Sequence, residues 1–258
     1  MIAENRHKLI LEILSRHGSA TVQQLAGEIG ISESTIRRDL LALDSQGRLR
    51  KVHGGATILA KSYLSQEADM LTKEGLYTRE KELIGRSAAA LITKDDFVYI
   101  DAGTTTLQLA GAISGDALEA SYVTNGLAHT QVLARKGCTV YVPSGRIKPT
   151  TEVIIGTSVL NSFRRYNFTK AFMGANGISV ESGFTTPGIE EAELKAAAVN
   201  SALECWILAD ESKFGKVYSA GFCDLIRATI ITNRLPDKTY LDYTTVREAE
   251  GHDLHRNI

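Results

Sequence analysis

The segment best suited to bind a ligand begins where an apolar run, Phe97-Val98-Tyr99-Ile100, ends in Asp101 and passes into Ala102-Gly103-Thr104-Thr105-Thr106. Gly103 lets the backbone approach a bound group. The first free N–H groups of a helix starting at Thr104 point outward, and the threonine hydroxyls add donors, so the segment is a seat for phosphate. Threonine is equally a helix cap, so the same letters also serve a purely structural reading. Other apolar runs end in comparable groups: Thr124-Asn125-Gly126, Ser144-Gly145-Arg146 and Gly174-Ala175-Asn176-Gly177. Arg146 and Lys148 could meet a phosphate or simply be solvated. Glu191 and Lys195 stand four apart on a helix, where a surface ion pair is the plain alternative to ligand contact. Asp210 ends a further run and precedes Ser212-Lys213-Phe214-Gly215. A carboxylate and a lysine beside a sugar phosphate could do acid/base work, or could bind hydroxyl and phosphate.

A second cluster is cationic. Residues 1–55 carry eight Lys/Arg against six Asp/Glu, a balance of +2, which leaves −3 for the rest of a chain whose net charge is −1. Five of those cations, Arg37, Arg38, Arg48, Arg50 and Lys51, fall within fifteen residues. Such local excess suits contact with a phosphate backbone.

The elements that must position these groups follow from periodicity. Leu9, Ile10, Ile13 and Leu14 mark a first helix stopped at Gly18. A second spans residues 21–29, with Leu25 and Ile29 inward, and Gly30 supplies a left-handed turn. Ser32 caps a third, which buries Ile36, Leu40 and Leu43 and turns Ser34, Thr35, Arg37 and Arg38 elsewhere. After Gly47, Leu49 and Val52 alternate with Arg50 and Lys51 before Gly54-Gly55, a small β-ribbon. Three helices and a basic ribbon make a winged helix-turn-helix, with the third helix entering the major groove and the ribbon, including His53, on the backbone or minor groove. A solvated helical hairpin that binds protein is the plainer reading of the same cations.

Residues 57–76 read as a linker with some helix. Beyond them, helices expected at 79–92, 104–113, 127–135, 158–166 and 190–204 alternate with strands at 97–101, 122–124, 139–142, 170–174, 206–210 and 228–232. That alternation predicts an α/β domain over 77–243, with a largely parallel sheet and ligands outside the carboxyl ends of its strands. A polar tail is expected over 244–258, where His252 and His255 lack a third metal ligand.

With 258 residues, 43% hydrophobic and 23% charged, the chain has an ordinary globular composition sized for two units or one large one. No apolar run reaches the roughly 18 residues that cross a bilayer. Cys138, Cys205 and Cys223 are odd in number and form no CxxC, which argues against a disulfide framework or thiolate zinc site and for the cytoplasm. No cofactor and no metal are expected.

The run from Ile31 to Ala56, with Ser34-Thr35-Ile36-Arg37-Arg38-Asp39-Leu40 and Val52-His53-Gly54-Gly55-Ala56, resembles the DNA-binding segment of the DeoR family of bacterial sugar-operon regulators. DAGTTT, VTNG, GANG and ADESKFG resemble that family's effector-domain motifs. The resemblance implies an effector domain with a fold similar to ribose-phosphate isomerases, a phosphorylated sugar as ligand, operator DNA as partner and a homo-oligomer. It implies DNA contacts from Ser32, Ser34, Thr35, Arg37, Arg38, Arg50, Lys51 and His53. It implies effector contacts from Asp101, Gly103, Thr104, Thr105, Thr106, Thr124, Asn125, Gly145, Arg146, Lys148, Gly174, Asn176, Glu191, Lys195, Asp210 and Lys213. Within the family, TEVIIG, YNFTKAFMGANGIS and GFTTPGIEEAELK are most similar to Gram-positive fructose operon repressors, implying fructose 1-phosphate as inducer. Ser144-Gly145 stands where the family usually has paired glycines, which alters backbone approach at that point. A sugar-phosphate isomerase carrying an extra N-terminal module is the competing expectation. It would have no need for Arg37 and Arg38 beside a basic ribbon.

Overall fold

A computed structural model describes residues 2–17, 19–46, 48–57, 73–249 and 252–254. The expected helix stop at Gly18, the Gly47 turn, most of the linker and His255 lie outside them. The chain divides into two compact units, residues 1–62 and 63–258.

In the first unit, α1 (Ala3–His17), α2 (Val22–Ile29) and α3 (Glu33–Ser45) surround a core of Ile10, Leu14, Leu25, Ile36, Leu40 and Leu43, all fully buried. Each such side chain contributes about 1.5–3 kcal/mol on burial. Gly30 takes the left-handed conformation (φ 73°) that ends α2, and Ser32, extended, accepts the Thr35 N–H at 3.4 Å to start α3. The ribbon is β2 (Arg50–Val52) paired antiparallel with β3 (Gly55–Thr57) around a turn at His53-Gly54. A strand absent from the sequence reading, β1 (Ser19–Thr21), completes it in the order β1-β3-β2. Thr21, expected as the first residue of the second helix, is instead its cap, in a reciprocal pair with Gln24.

The second unit holds an eight-stranded sheet. β4 (Phe97–Ile100), β5 (Ser121–Thr124), β6 (Thr139–Tyr141), β9 (Phe168–Gly174), β12 (Ala202–Leu208), β14 (Thr229–Thr232) and β15 (Val246–Glu248) are parallel, and β16 (His252–Leu254) is antiparallel at one edge. Their spatial order is β16-β15-β14-β12-β9-β4-β5-β6. The inner strand β4 is apolar throughout, with Val98, Tyr99 and Ile100 fully buried, because both faces of the sheet are covered there. Val98 and Ile100 face a core with Ile84, Leu109 and Leu133 from α4 (Thr78–Ala89), α5 (Thr104–Ala112) and α6 (Leu127–Arg135). Tyr99 faces the other core, with Phe163 from α7 (Thr157–Phe163) and Leu194 and Ala198 from α8 (Ile189–Asn200). Two small antiparallel sheets, β7 (Arg146–Lys148) with β8 (Val153–Ile155), and β10 (Gly177–Ser179), β11 (Gly183–Thr186) and β13 (Ala220–Cys223), lie off the main one.

Two expectations are corrected. The helix expected to run to residue 204 ends at Asn200, because Ala202–Cys205 pair with Phe168–Ala171 and are drawn into β12. The expected polar tail instead contributes β15 and β16. Val246 is fully buried against Ile230, so sheet pairing overrides the polarity of its neighbours.

Candidate functional site

On α3, burial of Ile36, Leu40 and Leu43 leaves Ser34, Arg37 and Arg38 exposed, with Thr35 half-buried. The Ser32 hydroxyl is taken up locally, between the Thr35 amide and the hydroxyls of Ser34 and Thr35. Arg37 pairs with Glu33 at 2.7 Å on the open surface, a contact worth only about 0.3–0.5 kcal/mol. Arg50, Lys51 and His53 are exposed on the ribbon and its turn. Asp39, missed by the sequence reading, is buried beneath the helix and accepts from Arg6 Nε (2.8 Å) and Nη2 (2.9 Å), with His7 Nε2 at 3.2 Å. The Arg6 guanidinium holds the Asp39 carboxyl below its ordinary range and fastens α3 to α1.

In the second unit, parallel strands bring their carboxyl ends to one rim, as open sheets of this kind do. A cavity of about 430 Å³ opens there, lined by Gly103, Thr104, Thr105, Gly174, Asn176, Glu191, Lys195 and Lys213. Ser212, from the run after Asp210, also lines it, as do Lys73, Tyr77, Lys81, Lys216 and Tyr218, which were not singled out from the sequence. A side pocket holds Asp101, Ala102, Asn125, Thr151 and Glu191. The rim thus gathers five lysines beside the start of a helix, a donor set for a small anionic ligand, in a volume within the usual range for small-molecule sites.

Buried polar bonds fix its floor. The Lys195 ammonium donates to Asp101 Oδ2 and, at 2.9 Å, to the Gly174 carbonyl. The Gly174 amide donates to the same carboxylate at 3.2 Å. Tyr99 donates to Asn125 Oδ1 at 3.0 Å, and the Ala102 amide donates to that oxygen at 3.2 Å. Burial, then the Asp101 charge, raises the Tyr99 phenol well above its ordinary value, so it remains a donor. Asn176 accepts from the Thr186 hydroxyl at 3.1 Å. The surface pair expected between Glu191 and Lys195 does not form. Lys195 turns inward, only 5% exposed, and Glu191 accepts from Lys148 (2.6 Å) and Thr151 (3.3 Å) on the β7–β8 side.

Several expected effector contacts are placed elsewhere. Thr106 is fully buried, and its hydroxyl donates to main-chain carbonyls, that of Asp101 lying at 2.6 Å. Spent that way, it accepts from His129 Nε2 at 3.0 Å, which leaves Nδ1 the unprotonated nitrogen of a neutral ring with no hydrogen-bond partner. Burial pushes the His129 pKa down to about 4. Thr124 is fully buried, where it accepts the Gly126 amide at 3.2 Å. Arg146 is exposed and bound to Glu190 at 2.6 Å. A Cβ on Gly145 would stand 2.6 Å from the Ile155 carbonyl, so packing against β8 by itself accounts for a glycine there. Asp210 is inaccessible and accepts from the Ser212 amide at 3.0 Å, with Lys213 at 3.8 Å. Among residues with described side chains, no group of three or more His, Cys, Asp or Glu could hold a metal.

A winged helix with exposed cations on its third helix, joined in sequence to an α/β domain with a lysine-rich rim cavity, defines a DNA-binding regulator with a sensor domain. Residues 6–62 match the DeoR-like helix-turn-helix domain and residues 77–234 the DeoR C terminal sensor domain. The chain belongs to the DeoR family. It is 40% identical over 94% of its length, and 96% of the relative's, to an uncharacterized HTH-type transcriptional regulator FruR of Bacillus subtilis (strain 168). It is 31% identical, over 94% and 93%, to the HTH-type transcriptional repressor GlcR of the same organism. To a lactose phosphotransferase system repressor of Staphylococcus epidermidis it is 30% identical over 84% and 86%. A crystal structure of ribose 5 phosphate isomerase A from Neisseria gonorrhoeae aligns with a TM-score of 0.39 at 17% identity, over 57% of this chain and 56% of that one. The matched helix-turn-helix domain and these relatives make the chain a transcriptional repressor and set aside the isomerase expectation.

Proposed function

We propose that this repressor controls a sugar-utilisation operon, that its sensor domain binds a phosphorylated sugar, fructose 1-phosphate, and that the bound ligand releases it from the operator. The observation that carries the ligand class is the cavity of about 430 Å³ in which five lysines meet the start of α5. Phosphate lies against the free N–H groups after Gly103, with Thr104 and Thr105, while Asn176, Glu191 and Lys195 address sugar hydroxyls. The choice of fructose is supported by the motifs that resemble fructose operon repressors and by the 40% identity to FruR. On the DNA side, Arg37 and Arg38 read base edges or phosphates, Ser34 and Thr35 meet base edges near the helix start, and Arg50, Lys51 and His53 hold the backbone. Two or more copies place their heads on repeated half-sites.

The test is fluorescence anisotropy on the protein's own upstream DNA at fixed salt, with and without fructose 1-phosphate, glucose 6-phosphate and inorganic phosphate. Salt is held constant because phosphate contacts make affinity steeply salt-dependent. Specific binding weakened by fructose 1-phosphate alone is the expected result. Release by another sugar phosphate would reassign the inducer, and indifference to all of them would overturn the ligand class.

A further inference from the structure

Lys81 is 3% exposed, yet it lines the sensor cavity. Its hydrogen bond runs to a neutral acceptor, the Lys73 carbonyl. Among the described residues, no carboxylate forms an ion pair with it, whereas Lys195 meets Asp101 and Lys213 approaches Asp210. Burial lowers the Lys81 pKa, with Asp210 and Glu74 raising it and Lys213 and Lys73 lowering it further. A buried ammonium with no carboxylate in direct ion-pair contact is costly, and an anion entering the cavity relieves that cost.

Helix packing sets Lys81 level with the phosphate seat. Gly85 on α4 lies so close to α5 that a Cβ there would be 2.6 Å from the Gln108 main chain. One turn earlier on each helix stand Lys81 and Thr104-Thr105, all on the cavity wall.

The bond that Lys81 makes is also placed to matter. The Lys73 carbonyl, which also accepts the Leu76 amide at 3.3 Å, begins a short segment ending at Tyr77, the residue before α4. Tyr77 is held at φ 54°, a left-handed conformation that a bulky side chain adopts only under constraint. Lys73, Leu76 and Tyr77 all line the cavity, and in sequence the segment directly follows the stretch leading from the DNA-reading unit.

We propose that Lys81 is the effector-sensing latch: a phosphate bound in the cavity draws its ammonium away from the Lys73 carbonyl, and residues 73–77 are released. A charged acceptor bonds an ammonium roughly twice as strongly as a neutral one, which gives the exchange its direction. This rests on the sugar-phosphate reading and adds to it the residue that converts binding into release.

Lys81→Gln keeps a donor for the carbonyl and loses the charge; Lys81→Arg keeps the charge. Operator affinity without ligand is expected to stay within about twofold of the parent for both. For Lys81→Gln, fructose 1-phosphate binding by calorimetry is expected to weaken at least about tenfold, the size of one lost charge-assisted bond, with little operator release even at saturation. Lys81→Arg is expected to restore part of both. Hydrogen exchange on the parent protein supplies a measurement independent of any variant: the Leu76 amide is expected to exchange faster with fructose 1-phosphate bound. Unchanged exchange, or a Lys81→Gln protein released at the parental ligand concentration, overturns the latch while leaving the ligand reading standing. A parent that binds no sugar phosphate overturns both.

Discussion

At the scale of single residues, the proposed function gives exposed and buried cations different tasks. Arg37 and Arg38 are held outward by the inward set Ile36, Leu40 and Leu43, so removing their side chains leaves the core untouched. Each contact to a base edge or phosphate is worth about 1–3 kcal/mol, so Arg37→Ala with Arg38→Ala should lower operator affinity at least about thirtyfold by anisotropy, with calorimetric binding of fructose 1-phosphate unchanged. Retained operator affinity would remove α3 from the DNA interface. Thr105 lines the cavity, and a hydrogen bond to a charged group is worth about 1.5–3 kcal/mol. Thr105→Val is therefore expected to weaken sugar-phosphate binding tenfold or more and to give a repressor that ligand fails to release. Equal affinities for variant and parent would move the phosphate away from the start of α5. His129 gives a pH dependence whose sign is fixed. Its ring is neutral in the folded chain with a pKa near 4, against about 6.5 when unfolded, so the unfolded state takes up the extra proton as the solution acidifies. Stability present above pH 6.5 should fall by about 2 kcal/mol at pH 5 and be fully lost below pH 4. Thermal melts from pH 7 to 5 should show this loss in the parent and a shallower one in His129→Asn.

At the scale of elements, what could be read from the letters depended on length and period. The three helices of the first unit carry apolar spacing, caps and a left-handed glycine, and all three appear where those signals stand. The inner parallel strands of the sensor domain carry apolar runs that end in polar residues or glycine, which is why the strand ends at Asp101, Asn125, Gly174 and Asp210 were visible. Strands of three or four residues, such as β1, β8 and β10, are too short to show a period, and pairing partners far away in the chain create them. Lys81 was not legible because helix packing, not local spacing, brings it to the cavity, and His129 was not because packing alone buries it beside Thr106. Gly145 was read as an effector contact, and the packing that itself calls for a glycine there, against a strand ten residues further on, left no local signal. Since its Cβ would meet the Ile155 carbonyl at 2.6 Å, Gly145→Ala is expected to cost about 1–3 kcal/mol in chemical denaturation through the β7–β8 hairpin. A loss of effector affinity with unchanged stability would return that glycine to the ligand.

At the scale of the whole molecule, the proposed function makes ligand and DNA compete through one thermodynamic cycle. A coupling of roughly 1–3 kcal/mol would change operator affinity about 5- to 150-fold, and operator DNA must weaken effector binding by the same factor. Calorimetric titration of fructose 1-phosphate into the protein with and without saturating operator measures that reciprocity; a factor differing from the one obtained by anisotropy would mean that ligand and DNA bind different assemblies.

The sheet order bears on synthesis. β4 lies between β9 and β5, so residues 97–100 cannot complete their ladder until residues 168–174 have left the ribosome, and β9 then waits for β12. The winged helix closes its own sheet and core within 57 residues. Local contacts form early, and N-terminal units fold first during translation. Each newly made chain thus passes through an interval in which the head has matured and the sensor has not, a nascent protein able to find DNA and as yet deaf to the sugar.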